Sequence, residues 1–255
     1  MGQLDHRHAL ITGGGSGIGA AIARALAGAG AAVSIAGRRK APLDAVASSL
    51  AKATAIVADI TKEADCAAMV TAAHAAHGPI DIVIANAGAA ASAPAAKIDL
   101  ASWHQTIDVN LTGAFLTVSA ALADVTRNDT GSRRIVFIAS TAGLKGYPYV
   151  AAYCAAKHGV VGLARSLSIE LAATGVTVNA VCPGYTDTPL LDDAAARIAA
   201  KTGRTADQSR AMLAGDNAHG RLITPDEVAQ TVLWLCSPDA DSINGQAIAV
   251  TGAPI

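Results

Sequence analysis

Tyr153 and Lys157 stand four residues apart in an alanine-rich stretch, a spacing that suits proton transfer. A helix over residues 151–157 would bring the phenol and the ammonium to one face. A phenol titrates at about pH 10, so it exchanges protons at neutral pH only where a nearby cation stabilises the phenolate. The pair therefore predicts a proton donor whose pKa is lowered by Lys157. Because the same spacing also arises by chance, this interpretation needs support from elsewhere in the chain.

A glycine-rich turn near the start of the chain gives that support. The apolar run at residues 8–11 predicts a strand, residues 12–19 read TGGGSGIG, and a helical pattern follows. Glycine lets the backbone turn tightly and approach a ligand closely, and the free N–H groups at a helix N-terminus bind anions. A strand, a glycine turn and a helix in this order predict a pyrophosphate site. Its expected contact residues are Gly13, Gly15, Ser16, Gly17, Ile18 and Gly19.

Composition limits the kinds of partner. The net charge is −1 over 255 residues, which is not the basic balance of a protein that binds nucleic acid or an anionic membrane. The first residues lack the apolar core of a signal peptide, and polar residues interrupt every long apolar run. We therefore expect a cytoplasmic protein that binds neither nucleic acid nor membrane. The four cysteines have no paired short spacing, which predicts free thiols and no metal site.

Short Val- and Ile-rich runs alternate with longer alanine-rich helical segments. This alternation predicts one α/β domain over residues 1–255, a doubly wound Rossmann fold with a seven-stranded parallel sheet and helices on both faces. The predicted strands are 8–12, 32–36, 54–58, 80–85, 134–139, 176–181 and 246–250, and the clearest helices are 17–29, 62–77, 151–173 and 225–237. Residues 187–221 predict a helical substrate lid. Arg133 and Arg134, where the fifth strand starts, are expected in solvent.

In this order of elements the sequence resembles the short-chain dehydrogenase/reductase family over essentially its whole length. The matching marks are the 12–19 turn, Asp59, Asn86-Ala87-Gly88, Asn110, Ser140, Tyr153 with Lys157, and Pro183-Gly184 with Thr188. The resemblance implies an enzyme that transfers a hydride between a nicotinamide cofactor and a carbonyl or secondary alcohol. It also implies a homotetramer, in which helices near residues 100–125 and 151–173 bury apolar faces against copies of themselves.

The resemblance assigns roles to four catalytic residues. Tyr153 gives or takes the carbonyl proton, and Lys157 lowers the pKa of that phenol and holds the nicotinamide ribose. Ser140 hydrogen-bonds the substrate oxygen, and Asn110 holds a water in the proton relay. Further cofactor contacts are expected at Asp59, Ile60, Asn86, Ala87, Gly88, Pro183, Gly184, Thr186 and Thr188. On residue chemistry alone, Asn86, Asn110 and Ser140 could instead satisfy local backbone groups.

The end of the second predicted strand bears on the choice of cofactor. An acidic residue there would bind the ribose hydroxyls of NAD and repel a 2′-phosphate. This chain has Gly37 followed by Arg38 and Arg39, and a guanidinium fork suits a phosphate. We therefore expect NADP(H) to be preferred, with NAD(H) as the alternative cofactor. The competing interpretation of the two arginines is a solvated basic turn that starts the next helix.

Within the family, the local similarity is to 3-hydroxybutyrate dehydrogenases and 3-oxoacyl reductases. Where hydroxybutyrate dehydrogenases hold a small carboxylate this chain has Ala90, Ala142 and Val150, and an unpaired carboxylate is costly to bury. Tyr147 and Tyr185 are expected to complete this lining. An uncharged reacting end is therefore predicted, as in a 3-oxoacyl thioester or an apolar or cyclic ketone. The alternatives are an NAD-dependent secondary-alcohol or 3-hydroxyacyl dehydrogenase and a non-catalytic dinucleotide-binding regulator.

Overall fold

A parallel β-sheet forms the centre of the computed structural model, which describes residues 2–127 and 131–254. Its strands in those residues are β1 His8–Thr12, β2 Ala32–Gly37, β3 Ala53–Val57, β4 Ile82–Ala85, β5 Arg133–Ile138, β6 Val176–Pro183 and β7 Ala247–Val250. All pairings are parallel, and the order across the sheet is β3-β2-β1-β4-β5-β6-β7. The predicted seven-stranded Rossmann fold is confirmed, and each strand ends within two residues of its predicted limits.

Helices cover both faces of the sheet. They are α1 Gly17–Gly28, α2 Lys40–Ala47, α3 Glu63–His77, α4 Leu100–Ile107, α5 Gly113–Val125, α6 Ala151–Glu170, α7 Pro189–Thr202, α8 Ala206–Gly215 and α9 Pro225–Cys236. Helices α1, α2 and α9 pack on one face, and α3, α5 and α6 pack on the other.

The central strands are apolar on both sides because each side meets a helical layer. In β1, Ala9 and Ile11 belong to the core under α1 and α9, whereas Leu10 between them belongs to the core under α5 and α6. Alternate residues of a strand point to opposite faces, so a strand covered on both faces reads as a continuous apolar run. This explains why the strands were readable from the sequence.

Arg133 and Arg134 open β5, and they are only 1% and 2% exposed. The expectation that they lie in solvent is therefore wrong. A central strand of a doubly covered sheet is buried from its first residue, and the strand carries both arginines with it. The Arg134 guanidinium donates to the Ser237 carbonyl at 3.1 Å and forms an ion pair with Asp241. These partners replace part of the hydration that burial removes.

A π-helical turn at Asp108–Thr112 joins α4 and α5 into one helical segment. By length and composition this segment, Leu100–Val125, qualifies as a membrane span, with a mean hydropathy of 1.3, but core helices pass the same test. Its polar residues include Asp108 and Asn110, and Asn110 is buried in the domain. Ala114, Val118 and Ala121 share a core with β4 and β5, and this packing accounts for much of the apolar composition.

Helices α7 and α8 lie in the segment predicted as a lid. Thr188 caps α7 by accepting from the Leu191 N–H, and Pro189 follows in the first turn, where its fixed φ suits a helix. The two helices pack on each other around Leu191, Ala195 and Leu213. This small separate core is consistent with a covering element that is less firmly attached than the sheet.

Candidate active site

The carboxyl ends of β1, β4, β5 and β6 open onto one cavity of about 890 Å³. Ligands of doubly wound sheets bind at this edge. Every residue predicted from the sequence to form the site lines this cavity, with the exception of Gly15. An added Cβ at Gly15 would lie 3.2 Å from the Pro42 Cβ, so Gly15 faces the first turn of α2. The turn uses this glycine for close packing, and its contact with a cofactor stays a prediction.

The glycine turn adopts a backbone that other residues would not tolerate. Gly13 and Gly17 have φ values of +69° and +52°. An added Cβ at Gly13 would stand 2.8 Å from the Asn86 Nδ2, and one at Gly19 would stand 2.3 Å from the Gly13 carbonyl oxygen. Glycine is therefore required both by conformation and by the close approach of the turn to α1 and to the residues after β4.

The start of α1 suits a phosphate group. Ser16 is the N-cap residue, in an extended conformation, and its side chain makes no capping hydrogen bond. The first N–H groups of a helix have no partner within the helix, and the helix dipole adds partial positive charge at the same end. The first turn holds no acidic residue that would repel an anion. The turn and the helix end thus fit the pyrophosphate of a dinucleotide.

Asn86 holds the two neighbouring turns together. Its Nδ2 donates to the Thr12 carbonyl at 2.8 Å, and the backbone N–H groups of Asn86 and Ala87 both donate to the Thr12 hydroxyl at 3.2 Å. The Asn86 side chain therefore satisfies a local backbone group, which was the alternative considered from the sequence. The residue still lines the cavity, and it fixes the spacing between the glycine turn and the residues that follow β4.

Arg38 and Arg39 are exposed where β2 ends, and both line the cavity. On the facing segment, the Asp59 Oδ1 accepts from the Thr61 hydroxyl at 2.8 Å and from the Thr61 N–H at 3.1 Å. These bonds lower the pKa of Asp59, and the positive charge of Arg38 lowers it further. This end of the cavity therefore holds a fixed carboxylate with two guanidinium groups beside it. Ile60, next to Asp59, lines the same end.

Tyr153 and Lys157 lie in the first two turns of α6, on the face toward the cavity. The Lys157 Nζ is 5.6 Å from the centroid of the Tyr153 ring and donates to the Ile138 carbonyl at 2.8 Å. Ser140 follows β5, and its hydroxyl hydrogen-bonds the Tyr153 phenol and accepts from the Ala142 N–H. A strand end and a helix start thus bring three polar side chains into contact or close approach.

Burial sets the pKa values of this pair. It raises the pKa of Tyr153 to about 12, although the hydrogen bond from Ser140 acts in the opposite direction. It lowers the pKa of Lys157 to about 8. The net change for Tyr153 is the reverse of the lowering expected from the sequence, because removing the phenol from water outweighs the hydrogen bond from Ser140. At pH 7 the phenol is protonated and most of Lys157 is charged.

The π-helical turn between α4 and α5 places Asn110 at the cavity. Asn110 is 1% exposed, and its Nδ2 donates to the carbonyls of Ala89 at 2.8 Å and Thr106 at 2.9 Å. Its Oδ1 accepts from the Ala89 N–H at 3.2 Å. An added Cβ at Gly88 would lie 2.8 Å from that oxygen and 3.7 Å from the Lys157 Nζ. Gly88 therefore leaves the space through which Asn110 and Lys157 approach each other.

The far end of the cavity combines apolar and aromatic side chains with cationic ones. The Tyr147 hydroxyl donates to the Thr141 Oγ1 at 2.9 Å, and the Tyr147 and Tyr185 rings meet edge to face at 6.3 Å. Burial raises the pKa of Tyr185 to about 12, so this phenol is neutral at physiological pH. The remaining predicted lining residues, Ala90, Ala142 and Val150, are also present.

Three cationic side chains at this end were not predicted. Arg197 and Lys201 of α7 line the cavity, and Arg204 follows in the loop before α8. The sequence held one usable signal, because Arg197 and Lys201 are spaced four apart and so share a helix face. It did not show which side of α7 meets the cavity, since that depends on how α7 and α8 pack.

A cavity with a pyrophosphate cradle at one end and a buried phenol and ammonium beside it belongs to an NAD(P)-dependent oxidoreductase. A family model described as short chain dehydrogenase matches residues 7–199, and the chain belongs to this family. The predicted resemblance is confirmed, and so is the reaction class, oxidation and reduction of secondary alcohols and ketones.

Known relatives cover almost the whole chain. Cis-4-hydroxycyclohexanecarboxylate dehydrogenase of Sinomonas cyclohexanicum is 40% identical, with 99% of this chain and 98% of the relative covered. D-beta-hydroxybutyrate dehydrogenase of Cupriavidus necator is 36% identical, with 95% of each covered. Among solved structures, a single-residue variant of actinorhodin polyketide ketoreductase with NADPH has a TM-score of 0.92 and 34% identity, and 98% of this chain and 97% of that chain are covered.

Proposed function

We propose that the protein reduces a ketone to a secondary alcohol and prefers NADPH. The observation that carries this proposal is the meeting of Ser140, Tyr153 and Lys157 in the cavity that begins at the glycine turn. When bound, the reduced nicotinamide supplies the hydride. The side chains then have to orient the carbonyl and deliver one proton to its oxygen.

Tyr153 is the proton donor in this proposal. With a pKa of about 12 the phenol keeps its proton at neutral pH, which is the form that reduction requires. The Ser140 hydroxyl, already bonded to the phenol, is placed to hydrogen-bond the same substrate oxygen. As Tyr153 loses its proton, the Lys157 ammonium, 5.6 Å from the ring, stabilises the phenolate. Lys157 thus stabilises the phenolate that forms during the reaction more than the protonated phenol that precedes it.

Asn110 contributes an acceptor to the proton relay. Both of its amide hydrogens are committed, one to Ala89 and one to Thr106, and its Oδ1 accepts one N–H. An amide oxygen has two lone pairs, so one remains to accept from a water. The fixed amide would hold that water near Lys157, the group from which a replacement proton comes.

The preference for NADP(H) rests on Arg38 and Arg39. Both side chains are exposed and line the cavity after β2, at the position where an acid would repel a 2′-phosphate. The nearby Asp59 follows β3, so it does not occupy that place after β2. The two guanidinium groups can therefore meet a phosphate with charge-assisted hydrogen bonds.

For the substrate we propose a cyclic ketone. The predicted substrate-lining residues Ala90, Ala142, Val150, Tyr147 and Tyr185 are apolar or aromatic, and the 40% identical relative is named for the oxidation of a ring alcohol. A 3-oxoacyl thioester is the second candidate, because the solved ketoreductase matches the whole fold at a TM-score of 0.92.

Replacement of Tyr153 by Phe tests the proposed function. We expect Tyr153→Phe to lower kcat for ketone reduction by at least about 100-fold, since general acid catalysis is lost, while NADPH binding stays within about twofold. Tyr147→Phe is the matched control, because this phenol lines the same cavity but bonds only Thr141. Steady-state rates and NADPH fluorescence titration measure the two effects. Near wild-type turnover in Tyr153→Phe would remove the assignment.

We also propose that the protein is a cytoplasmic homotetramer. Helices α4, α5 and α6 expose large apolar side chains, among them Leu100 at 69%, Phe115 at 48% and Ile169 at 80%. Large apolar side chains exposed in this way are often covered by a partner. The four cysteines are free thiols, which is typical of a reducing compartment.

A further inference from the structure

Arg197 reaches from the lid across the end of the cavity. Its Nη2 donates to the Ala90 carbonyl at 3.1 Å, and the guanidinium lines the cavity. Ala90 follows Ala89, whose N–H and carbonyl are both held by Asn110. The charge of Arg197 is therefore attached to the same loop that Asn110 fixes beside the catalytic residues.

The pairing of Arg197 inside the chain is incomplete. Its Nε is buried and has no hydrogen-bond partner among the described residues, where it also forms no ion pair with a carboxylate. A guanidinium presents five N–H donors in a planar fork that matches a carboxylate. Nε is enclosed by the protein and Nη2 bonds Ala90, so Nη1 is the nitrogen left free among the described residues to donate to an external acceptor.

The charged residues around Arg197 are mostly positive and would attract an anion. Lys201 and Arg204 line the same end of the cavity, and Asp216 is the one acidic lid residue that does so in the described chain. Two other lid acids, Asp187 and Asp192, are engaged by Arg210 and do not line the cavity. The lid residues thus bring net positive charge to the cavity, whereas the predicted lining residues Ala90, Ala142 and Val150 bring none.

We propose that Arg197 binds a carboxylate of the substrate, a second group besides the reacting carbonyl. The substrate would then be a keto acid in reduction and a hydroxy acid in oxidation, with an apolar body between the two groups. This proposal rests on the proposed reduction of a cyclic ketone and adds the feature that selects among such ketones. It also accounts for a neutral lining at Ala90, Ala142 and Val150, since the acid group is held by the lid instead.

A matched pair of substrates tests the proposal. 4-Oxocyclohexanecarboxylate and its ethyl ester share the ring and the carbonyl and differ in charge. We expect the wild type to prefer the acid, and Arg197→Gln to reduce the acid-to-ester ratio of kcat/KM by about 10- to 100-fold, mainly through KM, as for loss of a charged hydrogen-bonded pair. Turnover of the ester should change little. Arg197→Lys should restore part of the preference, because it keeps the charge but not the fork.

Lys201→Gln is the control within the same helix. It removes one positive charge from the cavity lining at an exposed position, where an ion pair contributes little, so we expect a change below about threefold. A larger effect of Lys201→Gln than of Arg197→Gln would overturn the assignment to Arg197. An equal loss for acid and ester in Arg197→Gln would also overturn it, since that result describes a latch between α7 and Ala90.

Binding of an unreactive acid separates this proposal from the proposed reaction. By calorimetry, the enzyme loaded with NADP⁺ should bind cyclohexanecarboxylate at least about 10-fold more tightly than cyclohexanecarboxamide, and Arg197→Gln should abolish the difference. Equal binding of the two ligands by the wild type would refute the carboxylate site. Selective binding without reduction of either ketone would refute the ring-ketone function and leave the site standing.

Discussion

Lys157 is buried and Tyr153 half-buried beside Ser140, and removal from water moves their pKa values in opposite directions, to about 8 and about 12. The phenol therefore keeps its proton at neutral pH, and the pKa of the amine lies close to neutral pH. A proton donor next to a group that titrates at about pH 8 can be reprotonated without a large energetic barrier. Residue identity alone predicted that these groups meet at one site, but the direction of the change in the phenol pKa depends on how deeply the fold buries the pair.

Arg38 carries the proposed preference for NADP(H). Arg38→Asp replaces a phosphate partner by a group that repels a 2′-phosphate and accepts from ribose hydroxyls. We expect the ratio of kcat/KM for NADPH over NADH to fall by at least about 100-fold, which corresponds to the loss of one charge-assisted pair and the gain of one repulsion. Initial rates with both cofactors measure this ratio.

Arg24→Asp is the control for this charge reversal. Arg24 is exposed on α1 and does not line the cavity, so the variant changes the net charge equally without touching the site. Its cofactor ratio should match the wild type. An unchanged ratio in Arg38→Asp, or an equal change in both variants, would show that the arginine does not hold the phosphate.

At the scale of elements, helices α8 and α9 both begin with a capping box, but they pack in different hydrophobic cores. Thr224 and Glu227 cap α9 reciprocally, and Thr205 and Gln208 cap α8 in the same way. Helix α9 packs against α1 in the main core, whereas α8 packs with α7 in the small core of the lid. A capping box satisfies two backbone donors that the helix leaves without partners.

Thr224→Ala should therefore destabilise the whole domain. We expect a loss of about 1 kcal/mol in the free energy of unfolding, the usual cost of an N-cap, and a fall in Tm of about 2–4 °C. Thr205→Ala is the matched variant, and it should change global unfolding less because α8 is outside the main core. Chemical denaturation followed by circular dichroism compares the two. A larger loss for Thr205→Ala would contradict this ranking.

The pH of that comparison matters because Glu227 belongs to the cap. Its bonds to Arg221 and then to Thr224 lower the pKa of Glu227 to about 2 from 4.5. A carboxyl whose folded-state pKa is depressed stabilises the fold above the unfolded pKa and loses that effect as the pH falls through the folded value. The contribution is complete above about pH 5 and disappears between pH 4.5 and 2, so the variants should be compared at neutral pH.

Elements were predictable wherever periodicity and end signals agree. The β1 strand and the helix from Gly17 were read from an apolar run, a glycine turn and an amphipathic pattern. The π-helical turn at Asp108–Thr112 was not predicted, because one shifted hydrogen bond leaves no mark in composition. The burial of Arg133 and Arg134 was also missed, since the ion-pair and carbonyl partners of Arg134 lie about a hundred residues away in the chain.

At the scale of the whole molecule, the sheet order decides what the sequence can and cannot show. Motifs that follow β1, β4, β5 and β6 meet at one edge because these strands are neighbours and parallel. Their convergence was therefore predictable from the motifs. Arg197 was not, because the lid is outside the sheet and its approach to Ala90 depends on tertiary packing alone. Chemistry common to the family was readable, and the group that selects the substrate was not.

The exposed apolar faces of α4, α5 and α6 predict the assembly state. We expect light scattering to give a species of four 25.3 kDa chains at micromolar concentration, and Ile169→Asp to give a smaller species, because a buried charge would be unpaired in the interface. Val57→Asp is the control, since Val57 is 58% exposed on the edge strand β3, away from these helices. Circular dichroism of both variants establishes that they fold. A wild-type monomer, or the same mass for Ile169→Asp as for the wild type, would show that another surface, or none, joins the subunits.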